Sequence, residues 1–132
     1  MRAGIAFDLK TDFVPEVGGP EDRLEEYDSD ATVVAIESAL RQAGYDTVRL
    51  GGGRHFIKQV LADPPDIVFN ISEGIVPTRS REAHVPAVLE MLGIPYTHSD
   101  PLTLALTLDK AMAKRVAASY GVPTPAYVVV AT

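Results

Sequence analysis

Cysteine is missing from all 132 residues of the chain. Its absence excludes disulfide bonds, thiolate catalysis and zinc sites built on thiolates. Long apolar runs are missing as well, since no segment approaches the ~20 residues that a membrane-spanning helix needs. The stretch from Met1 to Asp8 is too short before its first acidic side chain to serve as a secretory signal. We therefore expect a cytoplasmic protein with no membrane partner.

Basic side chains are also in deficit. The chain has 12 Lys and Arg residues against 18 Asp and Glu residues, a formal net charge of −6. Half of the acids lie between residues 8 and 30, where only Lys10 and Arg23 are basic, and such charge runs are usually solvated loops. No basic face is long enough to follow a nucleic-acid backbone, which argues against a nucleic-acid partner. Hydrophobic residues nevertheless make up 46% of the chain, which is typical of a globular domain.

Strand-like and helix-like segments alternate along the whole chain. Helical stripes such as Val33, Ile36 and Leu40 recur between short apolar runs. The alternation predicts an α/β fold, a parallel, doubly wound, Rossmann-like sheet with helices on both faces. The predicted strands span residues 2–7, 45–50, 66–70, 94–97 and 126–130. Ligands of such sheets bind beyond the carboxyl ends of the strands.

Two loops at that edge have different interpretations. Residues 8–28 form a connection longer than the ~12–15 residues usual for a loop without secondary structure, so this loop is either functional or mobile. Ser29 or Asp30 then caps a helix that ends at Gly44. The second loop, Gly51 to Gly53, lies where phosphate-binding loops occur. It lacks the dinucleotide glycine spacing and the Walker lysine, so a flexible turn is the better interpretation.

The segment from Asn70 to His84 is the richest in candidate site residues. It leaves the carboxyl end of a predicted strand, and its charged side chains are Glu73, Arg79, Arg81 and Glu82. Arginine in such a position can clamp a carboxylate or phosphate, while the alternative is a solvated loop with local ion pairs. His84 is far in sequence from the other histidines, so no metal-ligand spacing emerges and no metal site is predicted.

Lys110 and Lys114 lie four residues apart on a predicted helix from about residue 109 to 120, next to Arg115. Like charges at this spacing are mildly unfavourable, so their alignment suits an anion. The plainer alternative is a solvated helix face.

Several spaced elements match one family in order. They are Phe69-Asn70, Glu82 to Glu90, Met91 to Thr97, Ser99, Leu108-Asp109-Lys110, Lys114 and Gly121 to Pro125. From about residue 28 to 130 the chain thereby resembles the D-alanine–D-alanine ligases and their relatives in the ATP-grasp superfamily. The resemblance implies an N-terminal, substrate-side pre-ATP-grasp domain over residues 1–107. Residues 108–132 would then be the helix and first strand of a truncated ATP-grasp domain.

The resemblance also implies a reaction and roles for single residues. The family joins a carboxylate to an amine with ATP and Mg²⁺, through an acyl phosphate that the amine attacks. Lys110 is then expected to contact an ATP phosphate. Glu25 falls at the family's glutamate that orients the first substrate's ammonium, and Ser29 falls at its serine. Glu73-Gly74 replaces the family's His-Gly pair, so Glu73 joins Glu25 as a catalytic candidate.

The substrate is less constrained, because the sequence departs from the family there. Arg79, Arg81 and Glu82 stand near the place of a Gly-Glu-Asp-Gly motif and are, with Ser29, the substrate-binding candidates. A related carboxylate–amine ligase that acts on an amino acid or short peptide therefore fits as well as dipeptide synthesis. A homodimer is left open.

The remaining ATP ligands, magnesium carboxylates and oxyanion-stabilising arginine of the family are expected beyond residue 132. We therefore predict that this chain alone holds neither ATP nor Mg²⁺ and is inactive, with the remaining ATP-grasp domains as its partners. The alternative is a stand-alone, non-catalytic module of the same fold that binds a small ligand. A nicotinamide-binding domain is disfavoured because its glycine fingerprint is missing.

Overall fold

A parallel three-stranded sheet forms the centre of the protein. The computed structural model describes residues 1–13 and 22–130, so the middle of the loop 8–28 and the last two residues lie outside the described residues. The strands are β1 (Arg2–Ala6), β2 (Asp46–Arg49) and β3 (Ile67–Asn70), in the order β2-β1-β3. β1 is parallel to both neighbours, so that Ala3 lies opposite Thr47 and Ile67. The predicted parallel sheet is confirmed.

Helices connect and follow the strands. In the described part of the chain they are α1 (Asp30–Gln42), α2 (Gly53–Ala62), α3 (His84–Leu92), α4 (Pro101–Leu108) and α5 (Lys110–Ser119), with short 3₁₀ helices at Lys10–Asp12 and Arg81–Ala83. None of the helices described here is long and apolar enough to cross a bilayer.

Two hydrophobic clusters cover opposite faces of the sheet. Successive side chains of a strand point to opposite faces, and the end of β1 follows this rule. Ile5 and Phe7 pack with Val33 of α1. Ala6 packs on the other side in a larger cluster formed with α2 and α3, whose buried members include Phe56 and Leu89. The predicted doubly wound arrangement, with helices on both faces, is therefore confirmed.

Local capping chemistry sets several helix ends. Ser29 Oγ accepts a hydrogen bond from the Thr32 amide at 3.3 Å, which confirms the predicted cap of α1. After α1, Gly44 has φ 88°, and after α3, Gly93 has φ 67°, the left-handed conformation that glycine adopts without strain. Asp100 caps α4 by accepting from the Thr103 amide at 2.8 Å.

Two of the predicted strands do not form as strands. Residues 94–97 contribute only an isolated bridge, in which Tyr96 pairs with Val68. Residues 126–130 have no assigned secondary structure, and Val128 is 91% exposed. A strand requires a partner for its backbone hydrogen bonds, and the described residues provide none for this segment.

The Asp8 side chain fixes the loops at the carboxyl ends of the strands. This carboxylate, predicted to be part of a solvated acidic loop, is only 1% exposed. Its Oδ2 accepts hydrogen bonds from Ser72 Oγ at 2.5 Å and from the Gly74 amide at 2.8 Å. Its Oδ1 lies so close to Gly52 that a Cβ on that glycine would overlap it. Gly52 has an extended backbone, with φ −123°, so the lack of space and not the backbone conformation requires glycine here.

This packing predicts that Gly52→Ala destabilises the protein by about 1–3 kcal/mol, the usual cost of overpacking. Asp8→Ala should also destabilise, by about 1–3 kcal/mol, because it leaves the Ser72 hydroxyl and Gly74 amide without their acceptor. In the double variant the new methyl group no longer meets the carboxylate, so the combined cost should be smaller than the sum. Urea unfolding measures all three free energies.

The control pair is Gly52→Ala with Asp46→Ala, because Asp46 is exposed and pairs with Arg2 at the opposite end of β1. Those two changes should be additive. Additivity of the Asp8 and Gly52 changes would contradict the proposed steric conflict.

Candidate functional site

An acidic cavity of approximately 430 Å³ lies where β3 ends. Four carboxylates line it, Glu26, Asp28, Glu73 and Glu82, together with Asn70, Ile71, Ser72, His98, Ser99 and Leu104. The cavity therefore occupies the edge at which parallel α/β sheets bind their ligands.

Close backbone packing positions the Glu73 loop. The Ile71 amide donates to the Ala6 carbonyl at 2.9 Å, which continues the sheet beyond β3. Gly74 then adopts φ 87°, and a Cβ there would lie 2.6 Å from the Arg81 carbonyl oxygen. Only glycine fits this turn, and the turn brings the loop against the 3₁₀ helix that carries Glu82. Glu73 and Glu82 thus come together although nine positions separate them in the sequence.

The electrostatics of Glu73 reflect this crowding. The pKa of Glu73 is raised from its ordinary 4.5 to about 7, first by burial and then by the neighbouring Glu82 and Glu26 carboxylates, against the opposing effect of Arg81. Burial, with the charge of Asp8, also raises the pKa of Asp28. Both shifts have the sign expected when negative charges are crowded and partly removed from water.

Arg81 neutralises part of this charge. Its Nη2 atom lies 2.7 Å from Glu26 Oε1, and its side chain is only 17% exposed. Asp28, Glu73 and Glu82 make no ion pair with another described residue. The cavity therefore retains negative potential, which complements a cation such as an ammonium group.

The structure brings together three of the predicted site residues, Glu73, Arg81 and Glu82. Glu25 lies apart, with its side chain 71% exposed and its carboxylate 3.1 Å from Lys10 Nζ. The hydroxyl of Ser29 caps α1. The roles predicted for Glu25 and Ser29 are tested by none of these contacts and stay predictions.

The remaining two predicted residues, Arg79 and Lys110, lie near the start of α5. The guanidinium of Arg79 contacts Asp109 at 2.5 Å. Lys110 Nζ donates to the Thr107 carbonyl at 3.0 Å and is otherwise exposed. Lys114 lies one turn further and donates to the Pro125 carbonyl at 3.3 Å. The two lysines thus have separate partners, and Lys110 is the more accessible to a ligand.

Sequence reasoning missed Glu26 and Asp28 as cavity residues. Both belong to an acidic run in which no periodic pattern distinguishes inward from outward side chains, so Glu25 and Glu26 could not be separated. His98 was also missed. It has φ 74°, unusual for a residue other than glycine, and its ring meets Phe69 edge-on with centroids 5.4 Å apart.

The described residues contain no group of three or more metal-ligating side chains placed to hold a metal ion. The carboxylates that line the acidic cavity therefore form no such group among the described residues, although oxygen ligands are those that magnesium prefers.

No protein-family model matches the sequence. Individual relatives do match it. A D-alanine–D-alanine ligase of Moorella thermoacetica is 34% identical over 111 residues, 84% of this chain and 34% of that protein. A D-alanine–D-alanine ligase of Sinorhizobium fredii is 44% identical over 90 residues, 67% of this chain and 28% of that protein.

Two crystal structures of the D-alanine–D-alanine ligase from Bacillus anthracis, one of them complexed with ATP, share the fold. They superpose with TM-scores of 0.67 and 0.66 at 21% and 20% identity, and each match covers 97% of this chain and 37% of that chain. The sequence and the fold together identify a D-alanine–D-alanine ligase-like N-terminal region. This ligase-like chain spans about a third of the length of the relatives that it matches.

The raised pKa of Glu73 predicts a pH dependence of stability. Between pH 4.5 and about 7 the folded ligase-like region binds a proton at Glu73 that the unfolded chain has released. The free energy of unfolding should therefore fall as the pH rises through this window, with a slope reduced by solvent around this half-buried group. Glu73→Gln should flatten this part of the profile and be more stable than the unchanged protein at pH 8.

Urea unfolding at several pH values between 4 and 8 measures this difference. Asp46→Asn, at the far end of the sheet, removes a carboxylate of similar size and should leave the slope in place. Parallel profiles for Glu73→Gln and the unchanged protein would refute the raised pKa.

Proposed function

We propose that this chain is the N-terminal part of an ATP-dependent carboxylate–amine ligase, and that its acidic cavity binds the amino group of the substrate. The observation that carries the proposal is the cluster of four carboxylates at the carboxyl edge of the sheet, in a chain related to D-alanine–D-alanine ligases. An ammonium group offsets the repulsion among these carboxylates, which makes an amino acid or short peptide the substrate class that fits best.

The proposed reaction has two steps. A carboxylate oxygen of one substrate attacks the terminal phosphorus of ATP, giving an acyl phosphate and ADP. The amine of a second molecule then attacks the acyl carbon, and the amide forms as phosphate leaves and a proton is released. ATP supplies the phosphoryl group, and the ATP complex of the Bacillus anthracis enzyme supports its use.

The contribution of this chain to that reaction is binding and orientation. Glu73 and Glu82 hold the substrate ammonium in the cavity, while Arg81 keeps Glu26 in place. Lys110, exposed at the start of α5, is the candidate contact to an ATP phosphate. Magnesium does not fit the described residues, which contain no suitable ligand group. Under this proposal the magnesium ligands belong to the ATP-grasp part outside residues 1–132, in the cytoplasmic full-length enzyme.

The proposed domain boundary falls between residues 107 and 108. Asp109 lies next to it, ending α4 and capping α5. Residues 1–107 thus contain the sheet and the described lining of the acidic cavity, whereas residues 108–132 contain Lys110.

A second candidate function is a stand-alone, non-catalytic module that binds a small ligand. The observation that favours it is the described lining of the cavity, which lies within residues 26–104. A ligand could therefore be held without any further domain.

The ligase proposal predicts that two substitutions in the full-length enzyme each raise the KM of a different substrate. Glu82→Gln should raise the KM for the amino substrate by about 10-fold, as for the loss of one charged contact, and should leave the KM for ATP unchanged. Lys110→Ala should raise the KM for ATP and spare that of the amino substrate. Phosphate release with a panel of amino acids and dipeptides, starting from D-alanine, measures both constants.

The matched controls are Asp46→Asn and Lys58→Ala, both exposed and away from the cavity and α5. A comparison of Glu25→Gln with Glu26→Gln shows which of the two glutamates contacts the substrate. An unchanged KM for ATP in Lys110→Ala would remove that lysine from the nucleotide site.

The 132-residue chain alone is predicted to release no phosphate from ATP, because Lys110 alone cannot enclose a nucleotide and its described residues lack a magnesium site. Purified chain, ATP and Mg²⁺ suffice for the assay. Release that scales with protein concentration and is abolished by Lys110→Ala would overturn this prediction. If the same chain binds an amino acid and Glu82→Gln weakens that binding, the acidic cavity is a ligand site, as both the ligase proposal and the second candidate require.

A further inference from the structure

Arg79 makes a contact that its predicted role as a substrate ligand does not explain. Its Nε and Nη2 atoms both approach Asp109 Oδ2 at 2.5 Å. The two residues are 30 positions apart, and Arg79 is absent from the lining of the acidic cavity. Among the described residues, no other side-chain hydrogen bond joins the loop 71–80 to α5.

Asp109 is the junction between two helices. It ends α4 and caps α5, and its Oδ1 accepts a hydrogen bond from the Met112 amide at 2.9 Å. One oxygen of this carboxylate therefore holds the first turn of α5, while the other holds Arg79. The Met112 amide, followed by Arg79, lowers the pKa of Asp109, which keeps the carboxylate charged for both contacts. Lys110 is the next residue and begins α5.

The other end of the connection is the cavity loop. Two residues after Arg79, the Arg81 guanidinium pairs with Glu26 in the acidic cavity. The Arg81 carbonyl packs against the Gly74 turn that positions Glu73. Thr78 Oγ1 and His84 Nε2 lie 3.3 Å apart and connect the same loop to the start of α3. A shift of this loop on ligand binding would therefore reach Asp109 through Arg79.

Resting on the function proposed above, we propose that Arg79 is a positioning residue that couples occupation of the acidic cavity to the placement of Lys110. The Arg79–Asp109 pair transmits the position of the loop 71–80 to the first turn of α5. Coupling between two binding sites is reciprocal, so a nucleotide phosphate at Lys110 favours the loop position that holds the amino substrate. Arg79 is 77% exposed and Asp109 15% exposed, and such partly solvated pairs give modest effects, about 2- to 5-fold.

The test uses the full-length protein and the variants Arg79→Ala, Arg79→Lys and Asp109→Asn. Asparagine is as good a helix cap as aspartate, so Asp109→Asn removes the charge while retaining the cap. Arg54→Ala is the control, because Arg54 is an exposed arginine on α2. Hydrogen exchange of the amides in 71–83 and 110–119 is measured without ligand, and the Kd for Mg-ATP is measured by equilibrium binding.

Coupling predicts that each substitution accelerates hydrogen exchange in the segment next to the partner residue. Asp109→Asn should accelerate exchange in 71–83 by about 2- to 5-fold, and Arg79→Ala should do the same in 110–119. Both should weaken Mg-ATP binding by a similar factor, with partial rescue by Arg79→Lys and no effect of Arg54→Ala.

The other outcomes separate this inference from the proposed function. Unchanged exchange at both far ends overturns the coupling even if ATP binds normally. Changed exchange with an unchanged Kd for Mg-ATP in every variant overturns the link to Lys110 and makes the pair structural. Absence of ATP binding by the unchanged protein overturns the ligase function, while the exchange data still decide whether the loop and α5 are joined.

Discussion

The buried carboxylate of Asp8 is the constraint on which the carboxyl edge of the sheet depends. Burying a charge is costly unless hydrogen bonds replace its hydration, and Asp8 obtains them from the Ser72 hydroxyl and the Gly74 amide. Its other oxygen has no hydrogen-bond partner among the described residues and faces Gly52 at the start of α2. The positive end of that helix dipole favours a negative charge there. The loops that follow three strands are thus fixed against one side chain.

This constraint has a direct consequence for the acidic cavity. Because Gly74 is bound to Asp8 and packed on Arg81, the loop holds Glu73 close to Glu82 and Glu26. The protein tolerates the crowding because the pKa of Glu73 rises to about 7 and Arg81 pairs with Glu26. Repulsion among the carboxylates lowers the stability of the folded state. Such unfavourable arrangements are typical of binding sites, where the side chains serve function at the expense of stability.

Local patterns in the sequence predicted much of the fold, because helix caps and turns depend on neighbouring residues. The Ser29 cap of α1 illustrates this. The parallel sheet and the family relationship were predictable for a different reason, because they rest on patterns spread over many residues. The site was only partly predictable. Asp8 belonged to an acidic run, and nothing local indicates that its partners Ser72 and Gly74, more than 60 positions away, make its burial tolerable. Glu26 was missed for the same reason, since only the distant Arg81 distinguishes it from Glu25.

The last 30 described residues are held in place more by surface contacts, and less by hydrophobic burial, than the rest of the protein. From Pro101 to Val130 no side chain is fully buried, so hydrophobic burial contributes less to their placement than it does to the sheet. Polar contacts at the surface, such as Lys114 with Pro125 and Tyr127 with Ala111, take a larger share. Such contacts are individually weak, and segments held by few buried contacts open at low free energy. The placement of α5 relative to the cavity therefore depends on several weak contacts, and the Arg79–Asp109 ion pair is the one on which the proposed coupling rests.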